Sequence, residues 1–455
     1  MKTNIASRFM QSLRSWSGVC LVASILGGCS SYAVIDNTAI TAATANHAYS
    51  LKNWGGADRS GEFAFIVTFS GGGTRAAAMA YGVLEELRDT QVLVGGQQER
   101  LLDEVDHISS VSGGSFTAAY YGLHGDGLFD SFKDNFLRLD MDADLARSLF
   151  NPFHWFGRKG RTQRAIEYYE KKIFHNATFA DMMQAGRPMI VVNASDLAYG
   201  VRFSFIQEYF NFLCSDLTNF SVARAVTASS AVPVLFNPVV LENYADCAGY
   251  EPIWPENVDE LAKHSADFAM LYEGLSSYSK KDERKYIHFV DGGITDNMGL
   301  RALHDVVTIS GGSESYLQKM HRKTPRRVVL ISVNASTEQK TDMDQSTEQP
   351  SILAAMNATT DAQIHRYNSA TLELVEGQLA DWAEQLSSPD APVTPYLIRV
   401  SFDQVAQPHL KAFLNKIPTS FNLTDEQVNT LIESARTLLR EEPSFKKLKA
   451  DLAIQ

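Results

Sequence analysis

Three short stretches hold residues whose types and spacing could carry out acyl transfer. Gly71-Gly72-Gly73-Thr74-Arg75 follows an apolar run and precedes a helical pattern. Its glycines leave backbone N–H groups unshielded, and a helix starting there turns its positive dipole end toward them. Such a loop suits a phosphate or the oxyanion of a tetrahedral intermediate. Read structurally, it is a tight turn that needs positive φ. Arg75 could meet a substrate phosphate from the helix start or form a structural ion pair. The second stretch, S-V-S-G-G at 110–114, approximates a G-x-S-x-G nucleophile elbow, with Ser110 in place of the first glycine. Only Ser112 among the neighbouring serines has strand before it, glycine after it and helix beyond. The third, Asp291-Gly292-Gly293, presents a carboxylate with little crowding at the end of Y-I-H-F-V. It could be a base or an Asx turn.

The elements that must position these groups are legible as well. F-A-F-I-V-T-F, 63–69, reads as a strand buried on both faces. Ala76, Met79, Ala80, Val83, Leu84 and Leu87 then fall on one helical stripe. The unit recurs at V-D-H-I-S-S-V, 105–111, and further strands are expected at 188–194, 286–290, 327–333 and 396–402. This alternation predicts an α/β fold: three layers, a mostly parallel central sheet, helices on both faces. Residues 61–335 form the expected catalytic core. Residues 336–455 are expected to add a polar loop and a mainly helical extension of the same domain, in which T-D-E-Q at 424–427 is a capping box opening a helix. The three loops fall just past the C-terminal ends of strands, where open α/β sheets place their sites.

Together the motifs resemble the patatin-like phospholipase family: S-G-G-G-T-R, S-V-S-G-G and D-G-G in the family's order, with A-V-T-A-S-S-A-V-P-V-L-F-N-P, 225–238, as a fourth matching stretch. The resemblance spans about residues 63–305. It implies a Ser112–Asp291 dyad, an oxyanion hole at Gly71, Gly72 and Gly73, and hydrolysis of fatty-acyl esters of phospholipids or related lipids. A lipid-binding or scaffolding protein that keeps the fold without turnover is the alternative. His304, His321, His365 and His409 follow Asp291, but none sits in an obvious loop after an apolar strand, so a dyad is expected rather than a triad.

The chain's 455 residues are 45% hydrophobic, enough for a large core, and its net charge of −12 disfavours nucleic acid as a partner. No zinc-type Cys/His spacing, H-E-x-x-H or P-loop is present, and the motifs imply no metal and no cofactor. Residues 1–28 read as a signal peptide: Lys2, Arg8 and Arg14, then V-C-L-V-A-S-I-L, then small residues. L-G-G-C at 26–29 resembles the lipobox of bacterial lipoproteins, which implies lipid on the Cys29 thiol and anchoring to a membrane of the cell envelope. In that resemblance Ser30 directs the protein to the outer membrane. Residues 29–60 are expected to be a lipidated tether. Cys214 and Cys247 then remain, either as a disulfide or as free thiols. S-L-F-N-P-F-H-W-F-G-R-K-G-R, 148–161, interleaves aromatic and basic residues, either as a lid that meets the lipid surface or as core aromatics with solvated cations.

Overall fold

A computed structural model describes residues 33–453 apart from 46–47, 55–58, 140–159, 185, 234, 250–253, 339–342 and 344–346. The signal peptide, Cys29 and most of the 148–161 stretch lie outside the described residues. In chain order the elements that matter for the site are β1 (Phe63–Phe69), α1 (Gly73–Asp89), β2 (His107–Val111), α2 (Gly113–His124), β3 (Met189–Asp196), β4 (Val201–Ser204), α3 (Val222–Ser229), β5 (Val239–Glu242) and β6 (Tyr286–Asp291). They continue as α4 (Leu300–Ile309), β7 (Arg327–Asn334), α5 (Ile352–Leu386), β8 (Thr394–Ser401) and α6 (Asp425–Glu441).

Eight strands form one sheet in the order β8-β7-β1-β2-β3-β6-β5, with β4 also paired to β3. The five from β8 to β3 run parallel, whereas β4 and β6 run antiparallel to β3. The pleat of β1 explains its unbroken apolar run. Phe63, Phe65, Val67 and Phe69 enter the larger core, which also holds the apolar faces of α1, α2, α3 and α6. Ile66 points the other way, into the smaller core with Leu300 of α4 and Val375, Leu379 and Trp382 of α5. A strand with helices on both faces has no polar face to offer.

The C-terminal region is built into these layers. Its β8 is an edge strand of the main sheet, paired with β7 over eight residues. Thr424 and Gln427 form the expected capping box at the start of α6. α6 buries Val428, Leu431, Ile432, Ala435 and Leu439, and its Arg440 holds the buried Glu86 of α1 through two hydrogen bonds of 2.9 and 2.7 Å.

The expected tether needs correction between residues 37 and 54. Tyr49 is fully buried, and its hydroxyl accepts from Ile190 N at 2.8 Å and donates to Ile190 O at 2.9 Å. β6 pairs with β3 only at Ala194–Asp196, so the Ile190 backbone has no strand neighbour on that side. The tyrosine hydroxyl takes that place, as a buried backbone pair requires. Cys214 and Cys247 are joined by a disulfide, with Cα atoms 4.4 Å apart. No helix among the described residues is long and apolar enough to cross a membrane.

Candidate active site

Ser112 follows β2 and caps α2 with φ 50° and ψ −122°, a conformation costly for a side-chain-bearing residue. Several contacts hold it there. The Ser112 amide donates to Ser229 Oγ at 2.8 Å, and Ser229 Oγ donates to Asn193 O at 2.6 Å. Ser115 Oγ lies 3.1 Å from the same Ser229 oxygen. Gly113 follows because any Cβ there would overlap the Gly73 carbonyl. Ser110 replaces the usual first glycine without disturbing this turn. It is fully buried, and its hydroxyl donates to Val191 O at 3.2 Å on the neighbouring strand.

Asp291 reaches Ser112 by an unexpected route. Its strand runs antiparallel to β3, and the C-terminal end of such a strand would ordinarily lie at the far edge of the sheet. The register prevents this. Asp291 pairs with Ala194 while Val111 pairs with Asn193, so the two side chains share one level. The turn after α3 fixes both loops, because Asp291 N donates to Ala231 O and Gly292 N to Ser229 O, each at 3.0 Å.

The carboxylate accepts from Gly293 N at 2.7 Å, and the Ser112 hydroxyl lies near enough to favour its charged form. Burial raises its pKa from the usual carboxylate value to about 6, against the lowering effect of these two donors. At neutral pH it is ionised and far more basic than an exposed aspartate. No histidine among the described residues hydrogen-bonds to either side chain. His304 lies on α4 beside Asp305, at 3.7 Å.

The glycine loop requires two corrections. Gly71 cannot supply an oxyanion donor, because its N–H is donated to Asn297 O at 3.0 Å. The Thr74 amide is likewise spent, on Ser420 O at 3.0 Å. Among the described residues the amides of Gly72 and Gly73 are not donated to any group, and they stand at the N-terminus of the 17-residue α1. Arg75 does not face a substrate either. It is 4% exposed, with Nε donating to Ala335 O at 2.8 Å, Nη1 to Ile417 O at 2.5 Å and Nη2 to Thr419 Oγ1 at 3.1 Å. Burial lowers its pKa to about 10. Its fork satisfies backbone carbonyls that would otherwise be orphaned, so it braces the loop against the C-terminal segment.

Asn193, Ser229 and Asn297 were not singled out as site residues. Ser229 lies inside the A-V-T-A-S-S-A-V-P stretch, and Asn193 interrupts an apolar strand at P-M-I-V-V-N-A, so both left a trace in the sequence. Their partners are 36 to 226 positions away and left none.

A family model described as patatin-like phospholipase matches residues 67–304, just over half of the chain. The chain belongs to that family of lipid acyl hydrolases. A search of curated proteins found no match. Similar solved structures include human GIVD cytosolic phospholipase A2 in complex with methyl gamma-linolenyl fluorophosphonate, at 14% identity and a TM-score of 0.39. That alignment covers 93% of this chain and 66% of the other, so this chain spans less than two thirds of that neighbour's length. Human GIVD cytosolic phospholipase A2 without the inhibitor matches at 11% identity and a TM-score of 0.38, covering 93% and 68%. The family's span ends midway along α4, so β7, α5, β8 and α6 lie beyond it.

Proposed function

We propose that this protein is a membrane-tethered serine acyl hydrolase that cleaves fatty-acyl esters of phospholipids or related lipids. One observation carries the reading: Ser112, held at positive φ between two helix N-termini, stands at one level of the sheet with a buried Asp291 of raised pKa. Ser112 Oγ attacks the ester carbonyl as its proton passes to Asp291. Charge develops on the carbonyl oxygen, and the Gly72 and Gly73 amides stabilise it. In comparable enzymes one such donor is worth roughly 2.7–4 kcal/mol. Collapse of the intermediate breaks the ester C–O bond, and Asp291 returns the proton to the leaving alcohol. Water then attacks the acyl-serine by the same route in reverse, releasing the fatty acid and restoring the serine.

The rim supports an acyl substrate. Val232 and Leu235 follow the turn that holds Asp291, and Ile294 follows Gly293; all three are exposed. Phe236 packs edge-on against Phe421, next to the Ser420 carbonyl that holds the glycine loop. In this reading lipid on Cys29 anchors the chain at the outer membrane of a bacterial envelope. Two or more acyl chains there would suffice for stable anchoring.

The test is fatty-acid release from phospholipid–detergent micelles, run beside Ser112→Ala and Asp291→Asn. Both variants are expected to fold and to lose on the order of 10⁴ in turnover. A fluorophosphonate is expected to label Ser112 in the parent protein. Release by Ser112→Ala at the parent rate would remove the assignment, and failure of both release and labelling would favour a non-catalytic lipid-binding protein.

A further inference from the structure

Between the sheet and α5 the smaller core stops before the layers do. On that face β7 presents Val328 and Leu330, then Ser332 and Asn334, while β8 presents Leu397, then Arg399 and Ser401. α5 runs alongside with Leu379, Val375 and Leu372 against the core, then Asn368 and His365 about one and two turns on. All three elements therefore switch from apolar to polar at one level, the end of the sheet that carries the glycine loop. The polar part encloses a cavity of about 380 Å³.

Its groups keep bonding capacity that packing alone would not require. Ser332 is 2% exposed, and its hydroxyl has no hydrogen-bond partner among the described residues. Asn368 is 5% exposed and lines the cavity; among the described residues its amide donates to Ser336 Oγ, at 3.3 Å, and its oxygen accepts from no group. Continuing the Val/Leu pattern would have avoided both unspent groups, since buried polar atoms without partners are costly. Charged members of the lining are paired, Arg399 with Asp403 at 3.1 Å and Glu338 with Lys411 at 2.7 Å. Beside Met298, Leu372, Phe402 and the His365 imidazole, the polar groups that remain toward the cavity are hydroxyls and amides. That chemistry matches a ligand offering several hydroxyls, each able to donate and accept.

The cavity also adjoins the reacting groups. Asn297 Nδ2 donates to Ser336 Oγ at 3.2 Å, and the Asn297 carbonyl holds the Gly71 amide. One residue earlier, Ala335 N donates to Ser70 Oγ at 2.8 Å. The cavity wall and the oxyanion loop are thus successive links of one hydrogen-bonded chain.

We infer that this cavity is a subsite for an uncharged polyol, the hydroxyl-bearing part of a glycerol- or inositol-type headgroup whose acyl ester lies at Ser112. The link to catalysis rests on the acyl-hydrolase reading; the binding does not.

Calorimetric titration of the full-length Ser112→Ala protein with monomeric dihexanoyl phosphatidylglycerol, dihexanoyl phosphatidylcholine and myo-inositol tests it. The glycerol lipid is expected to bind roughly tenfold tighter than the choline lipid, about what one well-placed hydrogen bond gives, and adding Ser332→Ala is expected to erase the difference. Competition by myo-inositol would show that the headgroup fills the cavity, whereas inositol binding that leaves lipid affinity unchanged would make it a site for a free polyol. Equal affinity for the two lipids without inositol binding overturns the proposal, as does a preference that survives both Ser332→Ala and Asn368→Leu. In the otherwise unmodified protein, Ser332→Ala is expected to leave hydrolysis of a soluble short-chain ester and fluorophosphonate labelling at the parent level. If the parent protein hydrolyses no ester while the binding pattern holds, the acyl-hydrolase reading fails and the polyol site stands.

Discussion

Two strand–glycine–helix junctions, β1–α1 and β2–α2, are used in opposite ways. At the first, side chains serve structure and the backbone faces the site. Arg75 is spent on Ala335, Ile417 and Thr419, while the Gly72 and Gly73 amides stay free among the described residues. At the second, the backbone is spent and the side chain faces the site. The Ser112 amide is held by Ser229, and its hydroxyl is turned to Asp291. A strand feeding a helix through small residues creates a position rich in field and poor in crowding. Tertiary contacts then decide whether a donor or a nucleophile occupies it.

Four measurements would break or sharpen this contrast. The largest effect is expected at Gly73, whose φ is +62° and whose added Cβ would lie 2.9 Å from Ser420 O. Gly73→Ala should displace the free amides and lower kcat by roughly 10²–10³-fold while Ser112 still reacts with a fluorophosphonate. Equal loss of labelling would mean that the loop also positions the serine.

Arg75→Ala is expected next, with a loss of about 2–3 kcal/mol in denaturant unfolding because it orphans two buried carbonyls. Its activity should fall by the same factor on a phospholipid and on a neutral ester. A selective loss on the phospholipid would return Arg75 to the substrate.

The third concerns the base. In the proposed mechanism Asp291 acts ionised, and burial raises its pKa to about 6, so kcat/KM should be flat above that pH and fall about tenfold per unit below it. Stability has the opposite sign. The folded state holds this proton more tightly than the unfolded state, so the contribution is present at low pH and lost as pH rises from about 4 through 6. Asp291→Asn should therefore gain stability at pH 7.5 while losing activity, which thermal unfolding at pH 4 and 7.5 would show.

The smallest effect is at the elbow. Ser112→Gly removes the strain of positive φ and should raise stability by about 1 kcal/mol in an inactive protein. A destabilised variant would show that the serine's contacts outweigh its backbone cost.

Much of this was legible from spacing. The β1 strand, the α1 stripe and the α6 cap are local patterns, and the structure places them at the expected residues. Ser112 and Asp291 could be selected because each combines a reactive side chain with small neighbours. Arg75 and Gly71 were misread for a common reason. A residue beside a site looks available in sequence until its partners are known, and theirs come from Asn297, Ala335 and residues 417–419, far along the chain. The tether was misread between 37 and 54 because one tyrosine, filling a gap beside β3, leaves no periodic signature.

The sequence by itself determined which residues could react and which local units would present them, because side-chain chemistry, glycine spacing and apolar period act within a few positions. Tertiary structure alone decided which groups remain free to act. It brought Asp291 to Ser112 through the offset of an antiparallel strand, spent Gly71 and Arg75 on distant carbonyls, and raised the Asp291 pKa by burial. Hydrogen bonds are satisfied and charges desolvated by whatever the fold brings near, and that neighbourhood is not written at any one place in the chain.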